Sequence, residues 1–155
     1  MMNYRAKTIE TEPWEEKWVH GFYTCFNDKE HRIYDGAAET DCGDYYPDWW
    51  KVDPETVGQC TGIFGDFIKG EPKPGDEILR SFIYEGDIVE PVLTDGIHSG
   101  FSWGKQVVVF DRGAFCLKDR RGEITPMCNY AASVQFKVLG NVWDNPELLE
   151  GVADA

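Results

Sequence analysis

The sequence predicts a mainly β fold: a small barrel-like or strongly bent antiparallel sheet with long loops and a short C-terminal helix. Apolar and polar residues alternate through most segments, turn-forming residues separate these segments, and no segment holds a long helical period. The 155 residues, 42% of them hydrophobic, suffice for one ordinary domain with its own core.

The first half of the chain contains the clearest strand. Trp18–Phe26 alternates and carries apolar side chains on both faces, which is typical of a strand inside a sheet. Turn residues at 27–30 predict that 31–34 pairs back on it as a hairpin. Shorter strands are predicted at 4–9 and 57–61, a loop or single helical turn at 11–16, and an acidic loop at 35–47.

The second half begins with an irregular segment. Residues 69–75 contain two prolines and two glycines, which are unfavourable inside a sheet. Asn145 and Pro146 have the order of an N-cap and a first helical residue, which predicts the short C-terminal helix. Strands are predicted at Asp87–Leu93, 106–110, Ala114–Lys118 and 136–143, with a glycine-rich connection at 94–104 and a hairpin loop at 111–113.

The domain organisation predicted is a single domain over residues 1–155. The alternative is a small N-terminal subdomain, 1–57, followed by a barrel-like part, 58–155. No apolar run is long enough to span a bilayer, and the N-terminal residues show no signal-peptide pattern, so we expect a cytoplasmic protein that does not contact membranes.

The charge of the chain argues against ordinary nucleic-acid binding. Fifteen basic residues against 28 acidic ones give a net charge of −13, which repels phosphate backbones. The excess is concentrated: residues 35–55 contain seven carboxylates and one lysine.

No catalytic, metal or cofactor signature is found. The five cysteines are odd in number and contain no C-x-x-C pair, so free thiols are expected, and the grouping of His20 with Cys25 and Cys42 lacks ligand spacing. No cysteine or serine stands near a histidine in a familiar local signature. Glu85 and Asp87 flank a glycine and could hold a divalent cation or act as acid and base, although a turn cap at Asp87 with a solvated Glu85 explains them as well.

One segment is a candidate partner-binding patch, because aromatic rings there stand among carboxylates. Trp49 and Trp50 are adjacent, so an extended chain points them to opposite faces and only one is assured of a place in a core. An exposed ring beside carboxylates suits a cationic side chain, although aromatics that pack in a small second core explain the pattern too. The candidate residues are Asp44, Tyr45, Tyr46, Asp48, Trp49, Trp50 and Asp53.

Five motifs follow one another in a fixed order: YRAK at 4–7, QCTGI at 59–63, IYEGDIV at 83–89, DRGAF at 111–115 and GNVWDNPELL at 140–149. In this order the sequence resembles the YopX-like family of phage and prophage proteins over almost the whole chain. The resemblance implies a mainly β, barrel-like fold in a phage or prophage protein of the bacterial cytoplasm, and it supplies no catalytic residues. The segment from Phe64 to Phe82 is longer than the family's usual connection. Structural roles fall to the motif residues Gly62, Glu85, Gly86, Asp87, Gly140, Asn141, Asn145 and Pro146.

Three functional hypotheses are compatible with these features. The leading one is a non-catalytic accessory protein that binds a host or phage protein. The second is an acidic mimic of nucleic acid that occupies a host DNA-binding protein. The third is a metal-dependent nuclease or hydrolase that uses Glu85 and Asp87. A homo-oligomer is left open by the sequence.

Overall fold

The computed structural model describes residues 4–9, 17–39, 45–67, 82–130 and 133–149. The chain divides into two compact units, Met1–Cys60 and Thr61–Ala155. Almost all of the regular structure is β, and the helical elements of the described residues are three short 3₁₀ turns, Pro54–Thr56, Met127–Asn129 and Pro146–Leu149. None of the helices in this part of the chain is long and apolar enough to cross a membrane. The predicted mainly β fold is confirmed.

The first unit is an antiparallel sheet. Its strands are β1 (Tyr4–Lys7), β2 (Trp18–Phe26), β3 (Glu30–Glu39), β4 (Tyr45–Lys51) and the first residues of β5 (Gly58–Phe64), in the order β4-β3-β2-β1-β5. Strand β2 therefore lies inside the sheet, as its apolar residues on both faces predict. The core of this unit consists of one buried side chain from each of β1, β2 and β3, together with Val52: Ala6, Val19 and Ile33.

The second unit begins within β5 and contains two strand groups. Strand β7 (Phe82–Tyr84) lies next to β5, and the Thr61 hydroxyl donates to the Ile83 carbonyl at 2.8 Å. A second sheet has the order β11-β10-β9-β8-β12-β6. Its strands are β6 (Asp66–Phe67), β8 (Asp87–Leu93), β9 (Gln106–Asp111), β10 (Ala114–Lys118), β11 (Ile124–Pro126) and β12 (Val134–Asn141).

Strand pairing in the second sheet is antiparallel except between β6 and β12, which are parallel. The core of this unit is a cluster of mostly aliphatic side chains contributed by β7 to β10, the second 3₁₀ turn and β12: Ile83, Val89, Val108, Leu117, Met127, Phe136 and Val138. On β12 the two members, Phe136 and Val138, are two positions apart and so face the same side of the strand.

The predicted barrel is wrong. Both sheets are open. Strand β7 lies at the edge of one sheet, and the turn at Glu85 and Gly86 passes the chain to β8 in the middle of the other. Consecutive strands β7 and β8 therefore belong to different sheets. Closing a barrel would require the two edge strands of one sheet to pair, and such a pairing does not occur among the described strands.

The short C-terminal helix is also wrong, because Pro146–Leu149 forms a single 3₁₀ turn. The Asn145 side chain accepts from the Asn141 backbone N–H at 3.3 Å, so it joins the turn to the preceding strand. The Leu148 N–H donates to the Asn145 carbonyl at 3.0 Å, which is the three-residue spacing of a 3₁₀ turn.

The predicted acidic loop is partly wrong as well. Residues 35–39 continue β3 and Tyr45 already begins β4, while a register shift between Asp35 and Ala38 interrupts their pairing. Main-chain pairing between neighbouring strands therefore overrides the weak β propensity of Asp and Gly here. The predicted loop or turn at 11–16 and the irregular segment 69–75 lie outside the described residues.

Candidate partner-binding surface

One face of the first sheet carries exposed aromatic side chains around an arginine. In the register of β2, β3 and β4, Phe22 pairs with Tyr34, and Tyr34 pairs with Trp49. Directly paired residues point to the same face of a sheet, so these side chains lie on one side. Phe22 is 48% exposed, Phe26 46% and Trp49 43%. We call Phe22, Phe26, Arg32 and Trp49 the aromatic–arginine surface.

Arg32 connects two of these rings. Its guanidinium carbon lies 3.9 Å from the centre of the Trp49 ring and 4.6 Å from that of Phe26. Nη1 donates to the Tyr34 hydroxyl at 3.2 Å, and Nε donates to a Glu30 carboxylate oxygen at 2.8 Å. Four contacts therefore hold the guanidinium against the sheet, two of them with the rings of Phe26 and Trp49.

The charges on this face are paired. Glu30 accepts from Arg32 and forms an ion pair with Lys51 at 3.3 Å. The hydrogen bond from Arg32 is the main reason why the pKa of Glu30 is lowered, and the bond to the Tyr34 hydroxyl is the main reason why the pKa of Arg32 is raised. The arginine thus remains charged at every physiological pH.

The turn between β2 and β3 sets this register. Asn27 and Asp28 have left-handed backbone angles, φ 51° and 57°, and the Lys29 N–H donates to the Phe26 carbonyl at 3.0 Å. Asn and Asp adopt that conformation more readily than other residues with a side chain. The turn places Phe26 opposite Glu30 and so brings its ring near Arg32.

The opposite face of the sheet is the core of the first unit. Trp50 is partly buried there and packs against the cluster that includes Val52, while the Lys17 ammonium lies 4.9 Å from the centre of its ring. Asp53 caps the first 3₁₀ turn by accepting from the Glu55 N–H at 3.0 Å. Trp49 and Trp50 therefore point to opposite faces, as their adjacency predicts.

The candidate residues predicted from sequence do not all gather in one place. Trp49 is exposed, Trp50 faces the core and Asp53 has a local capping role, so these three do not share a surface. Tyr45, Tyr46 and Asp48 occupy positions on β4, and Asp44 lies outside the described residues. In addition, Arg32 already covers one face of the Trp49 ring, where the sequence predicts a partner's cation.

The family-motif residues meet around the turn before β8. Asp87 is 2% exposed and accepts from the Tyr84 N–H at 2.8 Å, which closes the turn. Gly86 has φ +92°, and a Cβ there would lie 2.3 Å from ring carbons of Trp143. The Gly86 carbonyl accepts from the Val142 N–H at 3.0 Å, so two motifs distant in sequence are joined directly.

Hydrogen bonds within the GNVWDNPELL motif hold it together beside that turn. The Asn141 side-chain oxygen accepts from the N–H groups of Trp143 and Asp144 at 3.1 and 2.9 Å. A Cβ at Gly140 would lie 2.3 Å from the Asn145 side-chain oxygen, so the hydrogen bond from the Asn141 N–H to that oxygen requires glycine at 140. Of the other motif positions, Pro146 begins the last 3₁₀ turn, Gly62 has φ +76° in β5, and Glu85 is partly buried in the turn.

Asp87 is poorly placed for the chemistry that the third hypothesis requires of it. The Asp87 carboxylate is buried and engaged with the backbone of its own turn. A metal-dependent hydrolase needs its carboxylates to reach a metal ion and a substrate. Within the described ranges, no group of three or more His, Cys, Asp or Glu side chains could hold a metal ion.

The ordered motifs agree with a comparison against protein families: a family described as YopX protein matches residues 3–150. The chain belongs to the YopX family. The match covers both units and includes all of the motifs quoted above. No curated protein matches the chain. In this YopX protein the five motifs lie in β1, β5, β7, β8, β9, β10 and β12 and in the turns next to them, whereas the exposed rings of the aromatic–arginine surface lie in β2 and β4.

Sequence reasoning missed three members of the aromatic–arginine surface. The pattern of the sequence places Phe22 and Phe26 only in a strand with two apolar faces, and it does not distinguish Arg32 from other charged residues. The signal is present in the sequence, since the face of β2 that carries Phe22 and Phe26 has apolar residues beyond what one core needs, while the partner strand offers Arg32 and Tyr34 with the same alternation. The register that joins them depends on the length of the turn, which alternation alone does not fix.

Proposed function

We propose that this YopX protein is a phage- or prophage-type accessory protein that binds another protein through the aromatic–arginine surface. The observation that carries the proposal is the exposure of Phe22, Phe26 and Trp49 on one sheet face, where Phe26 and Trp49 both contact Arg32. Single exposed apolar residues are ordinary, whereas a contiguous apolar patch with polar neighbours is typical of an interaction site. Tryptophan and arginine are also enriched among the residues that dominate binding energy.

The contacts of Arg32 favour tight binding by such a patch. Because Glu30, Tyr34 and two rings already hold the guanidinium, little side-chain freedom remains to be lost when a partner docks. The charge of Arg32 is balanced by Glu30, so an apolar partner patch can cover the rings with a smaller desolvation cost than an unpaired cation would bring.

A protein partner suits this surface better than a nucleic acid does. The net charge of −13 repels phosphates over long range, and a carboxylate, Glu30, stands next to Arg32. Base stacking requires free ring faces, and Arg32 covers one face of Phe26 and one of Trp49.

The test compares what three immobilised proteins retain from a bacterial lysate: the parent, Phe22→Ser with Trp49→Ser, and Phe110→Ser. Phe110 is a matched control because it is also 48% exposed but lies in the second unit. We expect a protein that the parent and the control retain and that the double variant loses. With that partner purified, the Kd of the double variant is expected to rise at least about tenfold.

Equal retention by all three proteins would contradict the proposal, provided that far-UV circular dichroism shows the same β signal for each. Loss of a nucleic acid instead of a protein from the double variant would contradict it too, because the surface would then be a stacking platform.

The concentration of acidic residues at 35–55 supports a second candidate, charge mimicry of nucleic acid. Here the partner would be a basic DNA-binding protein, and replacement of Asp44, Asp48 and Asp53 by Asn would weaken its capture. This binding is expected to fall steeply with salt, whereas binding through the aromatic–arginine surface is expected to change little. Retention of the same proteins by the triple variant would leave the acidic segment as a solvated stretch.

A further inference from the structure

Near the turn of the β2–β3 hairpin, on the face that also forms the core, three side chains are in contact: Tyr23, Cys25 and His31. Cys25 and His31 are directly paired across the two strands. The Cys25 sulfur lies 3.9 Å from His31 Nε2, and the other ring nitrogen, Nδ1, is 2.5 Å from the Tyr23 hydroxyl. The Tyr23 and His31 rings are nearly parallel, with an angle of 6° and 5.8 Å between their centres.

This order of groups is that of an assisted nucleophile: a thiol, a base within reach of it, and a third group that orients the base. Cys25 is exposed, so a reagent in solution can reach the sulfur. Burial, followed by the neighbouring Cys25 and Tyr4, raises the pKa of Tyr23, which keeps its phenol neutral and able to accept a hydrogen bond at physiological pH.

We propose that Cys25 is a modification site: a nucleophilic thiol, assisted by His31 and Tyr23, that forms mixed disulfides with small disulfides. This inference is independent of the proposed protein-binding function, since Tyr23, Cys25 and His31 lie on the face opposite to the aromatic–arginine surface.

The exchange balances with the groups present and the disulfide as co-reactant. In the neutral imidazole with its proton on Nδ1, that N–H donates to the Tyr23 oxygen and leaves Nε2 free to take the Cys25 proton. The thiolate attacks one sulfur of the disulfide, a new S–S bond forms, and the old S–S bond breaks. The departing thiolate takes the proton back from His31, so one small thiol is released and His31 is again neutral.

The chain provides an internal control for this reactivity. Cys128 is also exposed, but its sulfur faces the Asn129 side chain at 3.8 Å and no histidine contact is formed there among the described residues. Cys116 is buried, and burial raises the pKa of its thiol, so it serves as a probe for loss of structure.

The experiment follows the modification of each cysteine by bis(2-hydroxyethyl) disulfide at pH 7, read by mass spectrometry of peptides. This probe is uncharged, so the net charge of the protein does not bias it. We expect Cys25 to react about five times faster than Cys128 or more. His31→Asn should bring Cys25 to the rate of Cys128, and Tyr23→Phe should lower the rate of Cys25 while Cys128 is unchanged.

The direction of the change in reaction rate distinguishes loss of assistance by His31 from loss of structure. A variant that merely loosens the fold exposes the buried Cys116 and raises its rate, whereas removal of the base lowers the rate of Cys25 and leaves that of Cys116 unchanged. Equal rates for Cys25 and Cys128 in the parent protein would overturn the proposal without any variant. An unchanged rate for Cys25 in folded His31→Asn would overturn it as well.

Discussion

Replacement of Gly86 by alanine should destabilise the second unit by about 2–5 kcal/mol. Two costs combine at this position. The backbone has φ +92°, a left-handed conformation that costs a residue with a Cβ about 1–2 kcal/mol. The new Cβ would also lie 2.3 Å from Cη2 and Cζ3 of Trp143, and forcing extra volume into a packed site costs about 1–3 kcal/mol.

A matched glycine separates the two costs. Gly113 has φ +84°, and a Cβ there would meet nothing within 4 Å, so Gly113→Ala should cost only the backbone part, about 1–2 kcal/mol. Trp143→Leu removes the ring that Gly86→Ala would strike. In that background Gly86→Ala should cost about as much as Gly113→Ala, which gives a coupling energy of about 1–3 kcal/mol between the two positions.

The assay is urea unfolding followed by far-UV circular dichroism, which reports the sheets and does not depend on the fluorescence of Trp143. If Gly86→Ala and Gly113→Ala have equal effects, the Trp143 ring does not close against the turn. The same conclusion would follow if Gly86→Ala costs the same with and without Trp143. Either result would refute the idea that the two family motifs are fitted to each other.

Two further predictions concern the last 3₁₀ turn and the charged hairpin. Asn145→Ala should lower the free energy of unfolding by about 2 kcal/mol, because it removes the acceptor of the largely buried Asn141 N–H. Leu148→Ala, at a half-buried position, should lower it by about 1 kcal/mol. This order is the reverse of the one expected for a docked helix, and the urea midpoints of the two variants measure it. The pKa of Glu30 is lowered in the folded protein, so its stabilising contribution is complete above the ordinary glutamate value of about 4.3 and is lost as the pH falls from there through the lowered value. Between pH 7 and about pH 3.5, the Tm of Glu30→Gln should therefore fall by less than the Tm of the parent. An equal fall in Tm would mean that the pairing of Glu30 with Arg32 does not persist in solution.

Alternation and turn chemistry predicted the strands that lie inside the sheets. Trp18–Phe26 and Asp87–Leu93 are strands with the predicted bounds, and both are apolar at both parities. In Asp87–Leu93 the pattern reflects burial of both faces, whereas in Trp18–Phe26 one apolar face carries the exposed Phe22 and Phe26. The short strands Asp66–Phe67 and Ile124–Pro126 gave no signal, since two or three residues hold no period. The prediction of a barrel failed for a different reason. Closure depends on the order of the strands, and no local pattern of the sequence shows that the chain changes sheets at Gly86.

The candidate site was predictable only in part. Trp49 could be found because two adjacent tryptophans must diverge in an extended chain. Arg32 and Phe26 could not, because their contact crosses two strands and depends on a turn in which Asn27 and Asp28 adopt left-handed angles. The contact between Cys25 and His31 could not be predicted for the same reason, since no local motif of the sequence contains the pair.

The β2–β3 register therefore links the two proposals physically. On one face it sets Phe26 opposite Glu30 and within reach of Arg32, and on the other it sets Cys25 opposite His31. Because side chains alternate with a period of two, a slip of one residue would move both groups to the wrong face at once. Two faces with separate chemistry thus depend on one three-residue turn, and the left-handed angles of Asn27 and Asp28 are what hold that turn in register.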